Sequence, residues 1–434
     1  MKQKKPLAKT LLVVSLILVF VGFIGAYLVQ TAGLCLEYTE LYYETASGLT
    51  QNAMLIRPKT ARVETPAPCI VVEHGWYNNK EMQDMNYVEY ARRGYVVVAV
   101  NQYSHGDSDN IGIGYEYDGG NGMYDAVCMA ASIPYVDSSR IGVSGHSFGS
   151  EACLYAVYKD EETNYISAIL HVCSDPQYTV NAPYIPWPRV IYDTPNDPDG
   201  YCNVYGSRDV GLVACQYDEF YHGVPTGTED DIGPGIGYTA PRDFINTVAA
   251  QSFLYFGTDP EGQPLREPWT FYKQDIDGEE AIRAIYNPAI THPEATMNTS
   301  VAKFSIEYFQ EAIPAPNPIP SSNQIWQWKE VFNSLSLHAL ILFAACFAIC
   351  MLEQPFFASL KSKEEVSPLQ FTNKPSKIWF WTGMTRSKRC TRIYTTLYMT
   401  AMHRSSNSSL SLSSVSGRYA APWCCLSCCC SPTI

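Results

Sequence analysis

The chain has 434 residues, 46% hydrophobic and 17% charged, with a formal net charge of −13. That balance suits a globular protein with membrane segments and excludes a disordered chain. Residues 31–360 hold 16 Lys and Arg against 41 Asp and Glu, so the body repels nucleic acid and anionic membrane surfaces, and no nucleic-acid partner is expected.

Residues 1–9 are a basic start carrying Lys2, Lys4, Lys5 and Lys9. An uncharged apolar run follows from Thr10 to Val29, and about 20 such residues span the hydrocarbon core as a helix. The pattern predicts a transmembrane signal anchor over 10–30 with a cytoplasmic amino terminus. A cleaved signal peptide is the competing reading. Its apolar part is usually about 7–15 residues with a small-x-small cleavage site, and "YLVQTAG" offers no clean site.

Residues 31–320 are expected to form one extracytoplasmic domain. "LCLEYTELYYETASGLTQNAMLIRP" alternates about Ser47-Gly48 as a hairpin does. "PCIVVEHGW" and "YVVVAVNQY" read as buried strands, separated by a helical pattern that stops at Gly94. A helix-like "GMYDAVCMAASI" precedes the strand "RIGVSGHSF", and "ISAILHVCSD", "DVGLVACQYDEF" and "WTFYKQDI" follow as further strands. Unbroken apolar strands alternating with helices predict an α/β fold with a mostly parallel sheet covered on both faces.

Two stretches break that rhythm, 176–208 and 220–242, rich in Pro, Gly, Asp and Tyr. Both follow strand ends at the carboxyl edge, where open α/β sheets bind ligands, and both read as cap-like insertions lining a pocket. Tyr77, Tyr178 and Trp187 are the expected pocket residues, with Tyr184, Tyr192 and Tyr201 nearby in sequence. A second apolar run over 334–353, followed by Lys361 and Lys363, reads as an outside-to-inside span; a buried amphipathic helix is the alternative. Seven of the 15 Cys fall in the domain at irregular spacing, which favours buried thiols over a disulfide framework.

The tail, 366–434, has no Asp or Glu against eight Lys and Arg, a Ser run, and "CCLSCCC". Three readings stand: a Cys-rich metal site, a basic palmitoylated tail, or a stretch translated out of frame and therefore disordered. Crowded Cys without paired spacing disfavour the metal.

The chemistry concentrates at strand ends. In "GVSGHSFGSEACLYAV", Gly145 and Gly149 flank Ser147 at a strand-to-helix turn. A Ser hydroxyl needs a base to remove its proton and an acid to hold that base. Asp218 ends a later strand, with Glu219 as the substitute. Of the histidines that follow, His222 is too close on the same loop, His338 lies in the second apolar run and His403 in the tail. That leaves His292 as base. The amides of Phe148 and Trp76 are the expected oxyanion donors. His146 should pack under the elbow, His74 and His105 shape loops, and His171 sits in the core. No metal site or cofactor is expected.

"HGW" after the third strand, "SHGDS" after the fourth, "GHSFG" after the fifth, then Asp218 and His292, stand in the order seen in a known superfamily. Over about 36–312 the chain resembles the α/β-hydrolases of the dienelactone-hydrolase and acyl-esterase type. The resemblance implies a sheet of about eight strands and hydrolysis through an acyl-enzyme, with Ser147 as nucleophile, His292 as base then acid, and Asp218 as orienter. The long, acidic segment between Asp218 and His292 departs from the pattern. The expected function is a membrane-anchored serine hydrolase acting on a small-molecule ester, thioester or amide. A peptidase on the same fold and a catalytically silent ligand-binding ectodomain are the alternatives.

Overall fold

The structure, a computed structural model, describes residues 5–111, 120–174, 203–222, 224–225, 238–361, 374 and 378. Helix α1 (Lys5–Gln30) opens the chain, and the hairpin of β1 (Leu36–Glu44) and β2 (Thr50–Pro58) follows. Then come β3 (Ala67–Glu73), α2 (Asp84–Arg92), β4 (Val96–Val100), α3 (Met123–Ala131), β5 (Val136–His146), α4 (Phe148–Lys159), β6 (Ile166–Val172) and β7 (Asp209–Val213). A ribbon of β8 (Val224–Pro225) and β9 (Tyr238–Thr239) lies within 220–242. After α5 (Val248–Leu254), the strands β10 (Tyr272–Ile276) and β11 (Glu279–Tyr286) form a hairpin. The chain closes through α6 (Thr299–Ala312) and α7 (Trp326–Leu352).

Nine strands make one sheet in the order β1-β2-β4-β3-β5-β6-β7-β11-β10. β4, β3, β5, β6, β7 and β11 run parallel. With helices on both faces, this is the α/β-hydrolase fold. Alternate residues explain the covering: Cys69, Val71, Val96 and Val98 pack with α3, α4 and α5. Ile70, Val72, Val97 and Ala99 pack with α2 and α6 on the opposite face. Strands buried on both faces leave no polar face to water, which is why they read as continuous apolar runs.

The far edge differs from expectation. "WTFYKQDI" is not the last parallel strand: β10 is an antiparallel edge, and β11, absent from the sequence reading, pairs with β7. The missed signal is Asp277-Gly278, both at positive φ (54° and 91°), the dipeptide of a tight hairpin turn. The edge is half-polar because one side faces water, whereas Ala281–Tyr286 is buried.

The described residues contain two helical stretches long and apolar enough to cross a membrane, Leu7–Gln30 and Trp326–Leu352, each only 17% buried. α7 therefore begins eight residues before the expected 334. Its first turns, "WQWKEVFN", are polar enough to hide from a hydropathy reading. The two helices pack antiparallel. Ser336 Oγ donates to Val19 O at 3.0 Å, and a Cβ on Gly22 would strike Ser336 and Phe332 O.

Candidate active site

Ser147 sits between β5 and α4 at φ 56°, ψ −119°. That backbone is strained for a residue with a side chain. Its neighbours accept the strain because they lack one. A Cβ on Gly145 would come within 2.1 Å of the Gly149 backbone, and one on Gly149 within 2.5 Å of His74 O. The turn is pinned by Ser147 N–H to Val172 O at 2.8 Å and by Ser150 N–H to Ser147 O at 2.9 Å. Ser147 is half-buried at the carboxyl edge, and Phe148 is the first residue of α4.

β7 and β11 lie side by side, so the loops leaving them meet, with a bridge between Tyr217 and Thr291. This brings His292 Nδ1 to 2.9 and 3.0 Å from the two Asp218 carboxylate oxygens. Asp218 also accepts the Phe220 and Tyr221 N–H groups at 2.9 Å each. Burial alone would raise its pKa. The bond from His292, the neighbouring His222 ring and the Phe220 backbone N–H outweigh that, and the carboxyl sits below the ordinary range. His292 and Asp218 are both buried. His222 is buried nearby against Phe244, and the bonds to Asp218 just described come from His292 and the backbone.

Two residues hold the backbone of His292 from opposite sides. Glu219 Oε2 accepts its N–H at 3.0 Å. His146 Nε2 lies 3.0 Å from its carbonyl oxygen, which can only accept, so that nitrogen carries the proton. Burial, and then the neighbouring His292, lower the His146 pKa to about 3, leaving it neutral at working pH. Tyr221 stacks on His292 at 5.7 Å and its hydroxyl donates a hydrogen bond to Glu151 Oε1 at 2.8 Å. The sequence reading had Glu219 only as a stand-in for Asp218. No hydrogen bond joins Ser147 Oγ to His292 among the described residues; such bonds often tighten only with substrate bound.

The segment after β3 lies against the elbow, with a Cβ on Gly75 falling 3.4 Å from Ser147 Cβ. His74 stiffens it, donating from Nδ1 to Gly75 O at 2.7 Å and accepting Gln102 N–H at Nε2. The Trp76 ring stacks between Tyr77 at 5.1 Å and Phe148 at 5.5 Å. Tyr77 donates its N–H to His105 Nε2 at 3.1 Å, so His105 shapes this loop. Asp109 is bonded to the Thr50 N–H. His171 is buried between Ser150 and Tyr205. Tyr178 and Trp187 lie outside the described residues, as does nearly all of 366–434.

Ligand-type atoms of His146, Cys173 and His292, and of Cys173, Cys215 and Asp218, fall within 4.8 Å of one another. Most of those donors are already engaged: His146 on the His292 carbonyl, His292 on Asp218, and Cys173 beside Cys215 at 3.3 Å.

Glu73, beside Gly145 in the sheet, is fully buried with the Gln102 side chain beside its carboxyl. Burial pushes its pKa well above the glutamate range, so it folds protonated. In the unfolded chain it ionises above about pH 4.3, so its contribution to stability falls as pH rises from there to its folded pKa. Glu73→Gln should therefore gain stability over the parent with increasing pH, by at most about 1.4 kcal/mol per pH unit. Thermal unfolding of both proteins from pH 5 to 8 measures this; a difference that stays flat would mean that Glu73 is ionised in the folded state.

Comparison with known proteins follows the same ground. Residues 48–181 match the family described as X-Pro dipeptidyl-peptidase (S15 family), a stretch that includes Ser147 and ends before Asp218 and His292. The chain is similar to the uncharacterized peptidase YuxL of Bacillus subtilis, 32% identical over 120 residues, covering 25% of this chain and 18% of that protein. It thus spans less than a fifth of that relative's length. Among solved structures it is similar to a hypothetical protein of Pseudomonas aeruginosa (14% identity, 64% of this chain and 94% of that one, TM-score 0.41). It is also similar to the Pyrococcus furiosus esterase Pf2001 (14%, 65% and 96%, TM-score 0.38). A bacterial heroin esterase stands at 15% identity, 68% and 84% coverage, and TM-score 0.39.

Proposed function

We propose that the chain is a membrane-anchored serine hydrolase that cleaves an ester, thioester or small amide through an acyl-enzyme. The observation that carries this reading is the buried Asp218–His292 pair, whose His292 carbonyl meets His146 in the strand-to-helix turn that holds Ser147 at positive φ. Ser147 Oγ attacks the carbonyl carbon while His292 Nε2 takes its proton. His292 then returns that proton to the departing alcohol, thiol or amine, and water repeats the sequence to free the acid. Asp218 keeps the Nδ1–H tautomer that leaves Nε2 free to accept. Amides at Phe148 and Trp76 are the proposed oxyanion donors.

A peptidase reading is favoured by the family match and by the printed name of the Bacillus subtilis relative. Fluorophosphonate labelling followed by a panel of esters of graded acyl length and an Xaa-Pro arylamide separates the two. Turnover of the arylamide far above every ester would replace esterase by peptidase; absence of labelling would remove both.

The two apolar helices support anchoring, and the lysines before the first place the amino terminus in the cytoplasm on this reading. Protease added to intact cells should digest the hydrolase domain. Protection until the cells are permeabilised would reverse the topology.

A further inference from the structure

The direction in which the two apolar helices leave the domain bears on what the site can reach. α2 starts at the carboxyl edge of the sheet, after β3, and ends at the amino edge, before β4. The segment into α7 runs the opposite way along it. Asn317 N–H meets Arg93 O at 2.9 Å, and Arg93 reaches Ile319 O and Pro320 O at 3.0 and 2.8 Å. Further along, the Ile325 and Trp326 N–H groups bond Glu89 Oε1 at 2.6 and 3.1 Å. Lys329 Nζ then pairs with Asp84 at the start of α2. The contacts advance steadily from the amino edge to the carboxyl edge, so α7 leaves the domain on the side where Ser147 and His292 stand.

The 23 residues of α7 beyond Lys329 extend about 35 Å, enough for a hydrocarbon core of about 30 Å. α1 lies alongside in the reverse direction. Its end is tied at Gln30 O by Tyr38 OH at 2.8 Å, and Val19 and Gly22 meet Ser336 further out. Both helices therefore project past the catalytic edge rather than away from it.

Apolar side chains stand exposed at that edge, alongside the exposed carboxylates Glu219 and Glu294. Tyr77, Tyr217, Phe220 and Met297 are 75%, 56%, 61% and 72% exposed. Each lies within five residues of Trp76, Asp218 or His292. Aromatic side chains gather at the headgroup level of membranes, and exposed apolar groups beside one site mark an interaction surface. The exposed charges in these loops, Glu219 and Glu294, are acidic, so the rim repels an anionic surface and suits one without net charge.

We infer that the catalytic edge rests against the bilayer entered by α1 and α7, and that the site takes an uncharged acyl ester from the membrane. The inference rests on the proposed serine-hydrolase and anchoring readings. The full chain is reconstituted in phosphatidylcholine vesicles and labelled at Ser147 with a fluorophosphonate carrying a short-linked fluorophore, fluoride leaving as the Ser147 Oγ–phosphorus bond forms. Lipids bearing a doxyl group high on the acyl chain should quench at least half of the emission, and aqueous iodide little. A protein that takes no label overturns the hydrolase reading and this one with it; a labelled protein washed from the vesicles overturns the anchoring. A labelled, embedded protein quenched by iodide and not by doxyl lipid overturns this inference alone. Met297→Asp should then slow turnover of a long-chain ester dissolved in the vesicles about tenfold and leave a water-soluble acetyl ester within twofold. Equal losses on both esters would count against membrane presentation.

Discussion

Ser147→Ala should abolish fluorophosphonate labelling and lower kcat on the best ester by about a millionfold, the loss expected where nucleophile and base act as one unit. The fold should survive. Ser147 is half-buried, and the backbone bonds of the turn remain with Ala. The strain at φ 56° is shared by both side chains, so unfolding should shift by no more than about 0.5 kcal/mol. Circular dichroism and denaturant melts establish the fold; single-turnover kinetics measure the chemistry. Wild-type turnover in the Ala variant would move the nucleophile elsewhere.

His292→Ala should cost about a millionfold in kcat, as Ser147→Ala does, whereas His222→Gln should cost little per folded molecule. Asp218 bonds the first ring at Nδ1 with both oxygens, which holds His292 with Nε2 ready to accept a proton. Asp218→Asn should cost about 10⁴-fold, less than loss of His292, because an amide can present its N–H to Nδ1 and stabilise the wrong tautomer. The reverse ranking of the two His variants would make His222 the base. Glu219→Gln is a milder probe. It keeps an acceptor for the His292 N–H, and a small change in kcat with an unaltered pH profile is the signature of a positioning residue.

Most of the scaffold was legible because a parallel sheet covered on both faces needs apolar side chains at every strand position. Runs such as Val96–Val100 show that directly. Ser147 was legible for a related reason: the close backbone approach at Gly145 and Gly149 requires both glycines, and their spacing shows in the sequence. Asp218 and His292 followed from chain order, although they stand 74 residues apart. The grip of Glu219 and His146 on the His292 backbone left no such trace. A bond to a main-chain N–H or C=O places no demand on the partner's side chain and arises only when β7, β11 and the elbow converge. β11 was missed for a third reason. Its first two residues are glutamates facing water, and only the turn before it announces it.

If α1 and α7 anchor the chain as proposed, the salt-bridged seam between α2 and residues 317–329 governs how the domain could leave the membrane. Glu89 and Arg93 lie almost wholly buried in that seam, and α1, packed beside α7, runs by an unbroken chain into β1. On the anchored reading, a single proteolytic nick between α6 and α7 would leave the domain fixed twice, covalently through α1 and noncovalently through Glu89, Arg93 and Lys329. Shedding into the medium would require cuts on both sides, which suits an enzyme meant to stay where it was inserted.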